Sequence, residues 1–426
     1  IDNTKASMNH LVDAAPLHPN QVVHKTLVAV HNNDPAFTFL EFIDEQVDLL
    51  SLAIALERNT NVTRLILRGL QWDELPSSQR GFGQHLLVNG TLQVVELVRN
   101  DMGREGVRLI ARALKDHTSI ATLHLTGCRL LDAGVELLSQ HRLGQLQHLN
   151  VRLNFLTASS GRSLRKILAN NPQLKRLNVA RNRLGPRGIA DMLSGAGFGS
   201  LEEIDLSSSH ACHESTADSD AIAQALALPG CGLRTLDLSC NSVDDEDVIN
   251  LSRGMQRNQS LRILSLGRNE ISNAGAQVIA STLPDRACPI ERLDLHRNPI
   301  GRDGVCRILQ DAGPNLESLS ISSNLASWNG ARAIARTMEM HNFWIKSIKY
   351  RGRKPKPDMI RVADFWVRAN RAGRRLLQSD DGGTHDVHSV PLALWGTIVS
   401  RVRDDPSLLY YFLRHKVLLS YAPPQS

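Results

Sequence analysis

The sequence predicts an α/β solenoid. Each repeat holds one short strand and one helix, a parallel sheet lines the concave side with helices on the convex side, and a small helical tail follows at the C-terminus. Three observations predict it. The frame L-x-x-L-x-L-x-x-N, or a close variant, occurs ten times at a period of 26 to 32 residues. Each frame leads through a turn, most often with glycine, into apolar residues at three- and four-residue spacing. Toward the C-terminus the period stops and aromatics gather: Trp344, Trp366, Trp395 and all four tyrosines lie in the last 85 residues of a chain that is 4% aromatic. Self-similarity at such a period marks an array that grows by stacking units around a continuous core.

The elements follow in order. Residues 1–34 are expected to cap the array, with a helix in QVVHKTLVAVH. The repeats occupy 35–350 and open with a degenerate copy, F37-TF-L40-E-F42, followed by the helical stretch QVDLLSLAIALER. Within a frame such as L174-KR-L177-N-V179-AR-N182, the L-x-L core sets two apolar side chains on one face of a strand and one residue on the other. The ninth residue is Asn100, Asn154, Asn182, Asn241, Asn269, Asn298 or Asn324 in seven of the ten frames. Its amide can bond backbone groups that the turn leaves unpaired. At Cys128 and Ser209 a weaker bond remains, and at Leu70 none does.

Amphipathic helices are expected after the glycine turns, as in M102-GRE-G106-VRLIARALKDH, I271-SNA-G275-AQVIASTLP and L325-ASWN-G330-ARAIARTMEMH. One turn carries a polar insertion, SSSHACHESTADSD at 207–220, which reads as a loop. The last strand is expected at I345-KS-I348-K-Y350. Residues 351–426 form a basic hinge, RGRKPKP, and then helical patterns in DMIRVADFWVRANRAGRRLL, PLALWGTIVSRVRD and PSLLYYFLRHKVLL, the first two separated by QSDDGGTHD.

Frames of about 28 residues, asparagine or cysteine at the ninth position and a full helix after each turn resemble the ribonuclease-inhibitor-like leucine-rich repeats. The same class builds the sensor regions of NOD-like receptors and the GTPase activator of Ran. The resemblance covers roughly residues 37 to 350 and implies a leucine-rich repeat solenoid of horseshoe form. It does not name a partner.

Composition narrows the function. A net charge of +6 over 426 residues is a mild excess, without the concentrated basic footprint that a duplex requires, so nucleic acid is not an expected partner. The six cysteines lack paired spacing and read as free thiols of a reducing compartment. No apolar run approaches the roughly 18 residues of a membrane span. The N-terminal segment IDNTKASMNHLVDAAP has no signal-peptide heart, although a chain that starts at Ile1 reads as one from which residues have been removed. These features predict the cytoplasm, with the nucleus as alternative. Sequons at Asn61, Asn89 and Asn258 matter only in a secreted protein.

Site chemistry is sparse. The cluster G195-AGFG199 sits between a helix and a strand, the reverse of a phosphate-binding loop. His210, Cys212 and His213, even with Cys231 or Cys240, lack the paired ligands of a structural zinc site. No cofactor, metal or catalytic constellation is expected. The basic hinge (Lys346, Lys349, Arg351, Arg353, Lys354 and Lys356, extended by Arg371, Arg374 and Arg375) reads as a solvated linker before an anion or nuclear-address site. LLYYFL reads as a hydrophobic cap before a docking helix.

The residues between the inward leucines are the candidate contacts. Repeats four and five present His148, Asn150, Arg152, Arg176, Asn178 and Arg181. Repeats six and seven present Glu203, Asp205, Thr235 and Asp237, and repeat nine presents Arg292, Asp294, His296 and Arg297. A basic segment thus abuts an acidic one, an arrangement that governs orientation and on-rate. Aromatics, the usual hot spots, are scarce there, which leaves Arg152 and Arg176 as the favoured anchors. Charge ladders that merely keep a sheet soluble produce the same pattern. The reading is a non-catalytic scaffold that binds a protein partner on the concave face, with no small-molecule substrate and no membrane. The alternatives are a GTPase activator of the Ran-activator type, although that family ends acidic and this chain basic, and the sensor fragment of a NOD-like receptor.

Overall fold

A computed structural model describes residues 19–43, 47–69, 89–115, 117–194, 199–211, 216–284, 288–322, 328–351, 357–372 and 400–414. The chain divides into two compact units, 1–241 and 242–426. The first holds strands β1 (Phe39–Ile43), β2 (Arg64–Arg68), β3 (Val94–Val98), β4 (Thr122–Thr126), β5 (His148–Asn150), β6 (Arg176–Asn178), β7 (Glu203–Asp205) and β8 (Thr235–Asp237), parallel and in sequential order. The second holds β9 (Ile263–Ser265), β10 (Arg292–Asp294), β11 (Ser318–Ser322) and β12 (Ser347–Arg351), ordered the same way. Helices alternate with the strands, and a helical tail follows β12. The α/β leucine-rich repeat fold is therefore as the frame predicts. Among the described residues, no helix is long and apolar enough to cross a membrane.

The leucines explain the layers. In β3, Val95 and Leu97 are buried while Val94, Glu96 and Val98 are half-buried on the other face, and β4 repeats the pattern. Helix Gly103–Lys115 turns Val107, Leu109, Ile110 and Leu114 into the same core. Among the described residues, the strands of each unit thus have one face packed against helices and one face without them. Ile66 of β2, on that second face, is buried.

The ninth-position asparagine ties each repeat to its predecessor. Asn154 Nδ2 donates to Leu125 O while its Oδ1 accepts from Cys128 N, and Asn241 donates to Leu206 O while accepting from Ser209 N and Ala211 N. Cys128 and Ser209 make the expected lesser bonds, to Leu97 O and Val179 O. Burial pushes the Cys128 thiol up to about 12, so it stays an unreactive donor. Leu70 and Asn324 lie outside the described residues.

A second asparagine series, not anticipated from the sequence, stands three residues before the first apolar residue of several frames. Asn59, Asn89, Asn258 and Asn342 each accept from the backbone N–H groups two and three residues on. Asn89 also donates to Leu56 O and Asn59 O of the preceding repeat. His117 fills the position in the third frame, accepting from Ser119 N and Ile120 N. The sequence holds a fourth sequon at Asn250-Leu251-Ser252, and three of the four fall on buried asparagines, Asn89 at 2%, Asn250 at 7% and Asn258 at 3% exposure, which an oligosaccharide transferase cannot reach in the folded chain.

Helix starts are capped across repeats. Asp132 accepts from Thr157 N at 2.8 Å, Thr157 Oγ1 at 2.6 Å and the Ser160 hydroxyl. Burial acts to raise its carboxyl, but the three hydrogen bonds outweigh it and hold the pKa below 3.8. Asp132→Ala is expected to cost about 1 kcal/mol, the usual loss for a cap. Because the folded pKa is depressed, that contribution is present above pH 3.8 and disappears as pH falls through the folded value. Urea midpoints of wild type and variant at neutral and acid pH check both statements.

The expected elements at both ends are present: helix Pro19–His31, β1 with helix Leu49–Glu57, and β12. The insertion at 207–220 departs from the loop reading, since Thr216 already opens helix Thr216–Ala227; Cys212 and His213 lie outside the described residues. In the tail, helix Pro357–Ala372 packs beside helix Trp328–Met340, and Asn370 donates to Asn342 O and Ile345 O. The first tail helix thus continues the helix layer of the repeats. Helix Pro406–Arg414 buries Leu408 and Phe412, and Tyr411 meets Phe365 and Trp366 edge-to-face at 5.8 and 5.4 Å. Much of the apolar face of LLYYFL is used inside the tail. Of the basic hinge, Lys346 pairs with Glu317, and Arg353, Lys354, Lys356, Arg374 and Arg375 lie outside the described residues.

Candidate functional site

On the helix-free face of the first unit, parallel pairing lines up equivalent residues of successive repeats. Thr122, His148, Arg176, Glu203 and Thr235 form one row, and His124, Asn150, Asn178, Asp205 and Asp237 form the next. Together they line an open groove of about 480 Å³. Eight of the predicted contacts meet there: His148, Asn150, Arg176, Asn178, Glu203, Asp205, Thr235 and Asp237. Arg152 and Arg181 follow β5 and β6 in the loops beyond the strands, Arg181 with a left-handed φ of 54°. Arg292, Asp294 and His296 belong to the second unit, where Asp294 accepts from His296 Nδ1 at 2.7 Å. Thr122 and His124 also line the groove, and the same frame position in I120-AT-L123-H-L125 would have found His124.

The middle row has a structural task beside any contact it makes. Asn150, Asn178, Asp205 and Asp237 each accept from the backbone N–H two residues on, at 2.8–3.0 Å. Such Asx turns end the strand and explain why only asparagine and aspartate stand in those four repeats. Asparagine for aspartate keeps the turn and removes the charge, so Asp237→Asn reports on charge alone.

The outer row carries ion pairs at the surface. Arg176 Nε lies 3.2 Å from Glu203 Oε2 with both side chains about half exposed, and Lys175 pairs with Glu202 at 3.0 Å. Pairs this exposed contribute roughly 0–1 kcal/mol, so the arginine can be reversed without unfolding the sheet. Glu202 is held below the ordinary carboxylate value by the Lys175 ammonium. Nearer β3, Glu96 takes Arg64 Nε at 3.0 Å and faces His124 Nδ1 at 3.7 Å.

His148 stands between these charges. Burial is the first cause that lowers its pKa below 6.5, and Arg176, His124 and Lys175 add to it while Glu203 opposes. Protonation therefore favours the unfolded chain, and stability falls as pH drops through 6.5. His148→Gln is expected to flatten that slope, measured as the urea midpoint on either side of the transition.

Comparison with known proteins agrees with the repeat geometry. The family described as Leucine Rich repeat matches residues 170–192, 232–252 and 257–280. The chain is 26% identical over 331 residues to ribonuclease inhibitor of Mus musculus, covering 69% of this chain and 71% of the relative. Against ribonuclease inhibitor of Sus scrofa it is 26% identical over 310 residues, covering 69% and 60%. Against NACHT, LRR and PYD domains-containing protein 12 of Mus musculus it is 29% identical over 253 residues, covering 52% of this chain and 20% of that relative's length. Among solved structures, the leucine-rich repeat-containing protein LegL7 from Legionella pneumophila aligns over 79% of this chain and 97% of its own, at 15% identity and a TM-score of 0.44.

Proposed function

Because its repeats are leucine-rich repeats of the ribonuclease-inhibitor kind, we propose that the protein is a non-catalytic scaffold of the cytoplasm that binds another protein on the helix-free face of its first unit. The observation that carries the reading is the groove from Thr122 to Asp237, where uncovered side chains of both charges stand in register across five strands. An open polar groove of this kind offers complementary charge to a macromolecule and little enclosure for a small substrate. Two relatives act on a protein, ribonuclease, as their name says.

Affinity capture with quantitative mass spectrometry tests it. The arms are the wild type, an Arg176→Glu, Asp237→Asn variant and an Arg104→Glu control on the exposed side of helix Gly103–Lys115. The expected result is a partner kept by wild type and control and lost by the face variant. Equal capture by all three would contradict it. A second reading, the repeat segment of a larger receptor, is favoured by the similarity to the NACHT, LRR and PYD domains-containing protein, of which this chain spans one fifth. Sequencing the full-length transcript decides between the two.

A further inference from the structure

The loops leaving β4 and β5 carry an apolar surface that the charged groove leaves unexplained. Leu131, Leu153 and Phe155 are 52, 41 and 59% exposed. Each also has a left-handed backbone, with φ of 55, 61 and 57°, a region that glycine and asparagine enter readily and bulky side chains rarely. The turn requires that backbone in several repeats but does not require apolar side chains. The position of Leu153 is held elsewhere by Gly127, Arg181 and Ser208, and that of Phe155 by Arg129, His210 and Ser242, all with positive φ. Strained, exposed and apolar together point to a surface kept for contact rather than for folding.

Backbone bonds bring these loops side by side. Leu131 N donates to Asn154 O at 3.1 Å, which sets Leu131 beside Phe155. Leu153 N donates to Ala180 O at 3.1 Å and Arg183 N to Leu156 O at 2.7 Å, which sets Arg181 and Arg183 along the other flank. Arg129 is paired with Asp101, whereas Arg152, Arg181 and Arg183 have no carboxylate partner among the described residues. Arg152 Nε is buried without a hydrogen-bond partner. Phenylalanine and arginine are enriched at protein interfaces, and arginine is among the residue types that dominate hot spots; here an aromatic and two leucines are bordered by guanidinium groups without a carboxylate partner.

We propose that this rim is a docking site for a protein segment that carries a bulky apolar side chain with a carboxylate one or two residues away. The apolar group seats on Phe155, Leu153 and Leu131, and the carboxylate meets the arginines, whose fork matches it in geometry as well as charge. The inference rests on the protein-binding reading and adds the chemistry of the partner.

Selection of displayed random peptides on the immobilised full-length chain tests it, with enriched sequences synthesised and titrated by fluorescence anisotropy. The expected result is enrichment of phenylalanine or leucine next to aspartate or glutamate. Phe155→Ser and Arg181→Glu should each weaken binding roughly tenfold, in the range of hot-spot losses. Arg104→Glu, on the exposed side of helix Gly103–Lys115, should leave it unchanged, and Asp205→Asn with Asp237→Asn probes the sheet face separately. Serine is accommodated at the same turn position by Ser242, so the Phe155 variant keeps its fold. No enrichment, enrichment of basic peptides, or affinity indifferent to Phe155→Ser overturns the rim site. A chain that sediments as a dimer in wild type and as a monomer in Phe155→Ser also overturns it. Peptides that respond only to the aspartate variants overturn the rim while leaving the sheet-face reading intact.

Discussion

Asn182→Ala is expected to lower stability by about 3–5 kcal/mol, on a cost of ~1–3 kcal/mol for each buried polar group left without a partner and allowing for partial relaxation. The side chain is 2% exposed and serves two repeats at once. Its Nδ2 donates to Val151 O at 3.0 Å and Val179 O at 2.7 Å, and its Oδ1 accepts from Asn154 N at 2.8 Å and Leu156 N at 3.2 Å. Alanine takes this partner from three of the backbone groups, while Val179 O keeps the Ser209 hydroxyl. Cysteine is expected to cost less, because Cys128 holds the equivalent place with its Sγ 3.1 Å from Leu97 O. Urea unfolding followed by circular dichroism should rank the three proteins asparagine, cysteine, alanine.

The second large effect is Gly161→Ala. Gly161 has the helical φ of −54°, so alanine should help the helix by about 1 kcal/mol on propensity alone. Space reverses the sign. A Cβ there would lie 2.3 Å from Gly188 O and 2.9 Å from the Cβ of Asp191, and one on Gly188 would lie 2.8 Å from the Cα of Ala158. Helices Gly161–Asn170 and Gly185–Leu193 touch backbone to backbone, and any side chain drives them apart. Overpacking costs about 1–3 kcal/mol and more where the obstacle is backbone, so a net loss of about 2 kcal/mol is expected. Gly90→Ala, where a Cβ meets nothing within 4 Å, is the control and should stay within about 0.5 kcal/mol of wild type.

Strand positions and the ninth-position ladder were legible in the sequence because each depends on one short motif: alternate leucines choose the buried face, and the asparagine closes the turn beside it. The second series at Asn59, Asn89, Asn258 and Asn342 was not, since its bonds follow from how a helix end meets the next strand, and no periodic apolar pattern marks that junction. Asn178 and Asp205 were legible as outward residues but not as turn-formers, which divides their role between fold and contact. The helix at Thr216 was hidden by a polar, serine-rich insertion without early apolar residues. Phe155 was hidden for another reason. Beside an asparagine in a turn it reads as filler, and only the left-handed backbone and the exposure mark it as unusual.

On the proposed function, the partner lies on the helix-free face of the first unit. Carboxylate footprinting of the captured complex, set against the chain alone, checks this. The expected result is protection of Glu203, Asp205 and Asp237, with Glu105 and Asp191 on the helices labelled as in the free protein. Protection of Glu105 or Asp191, with the three sheet carboxylates still labelled, would contradict it.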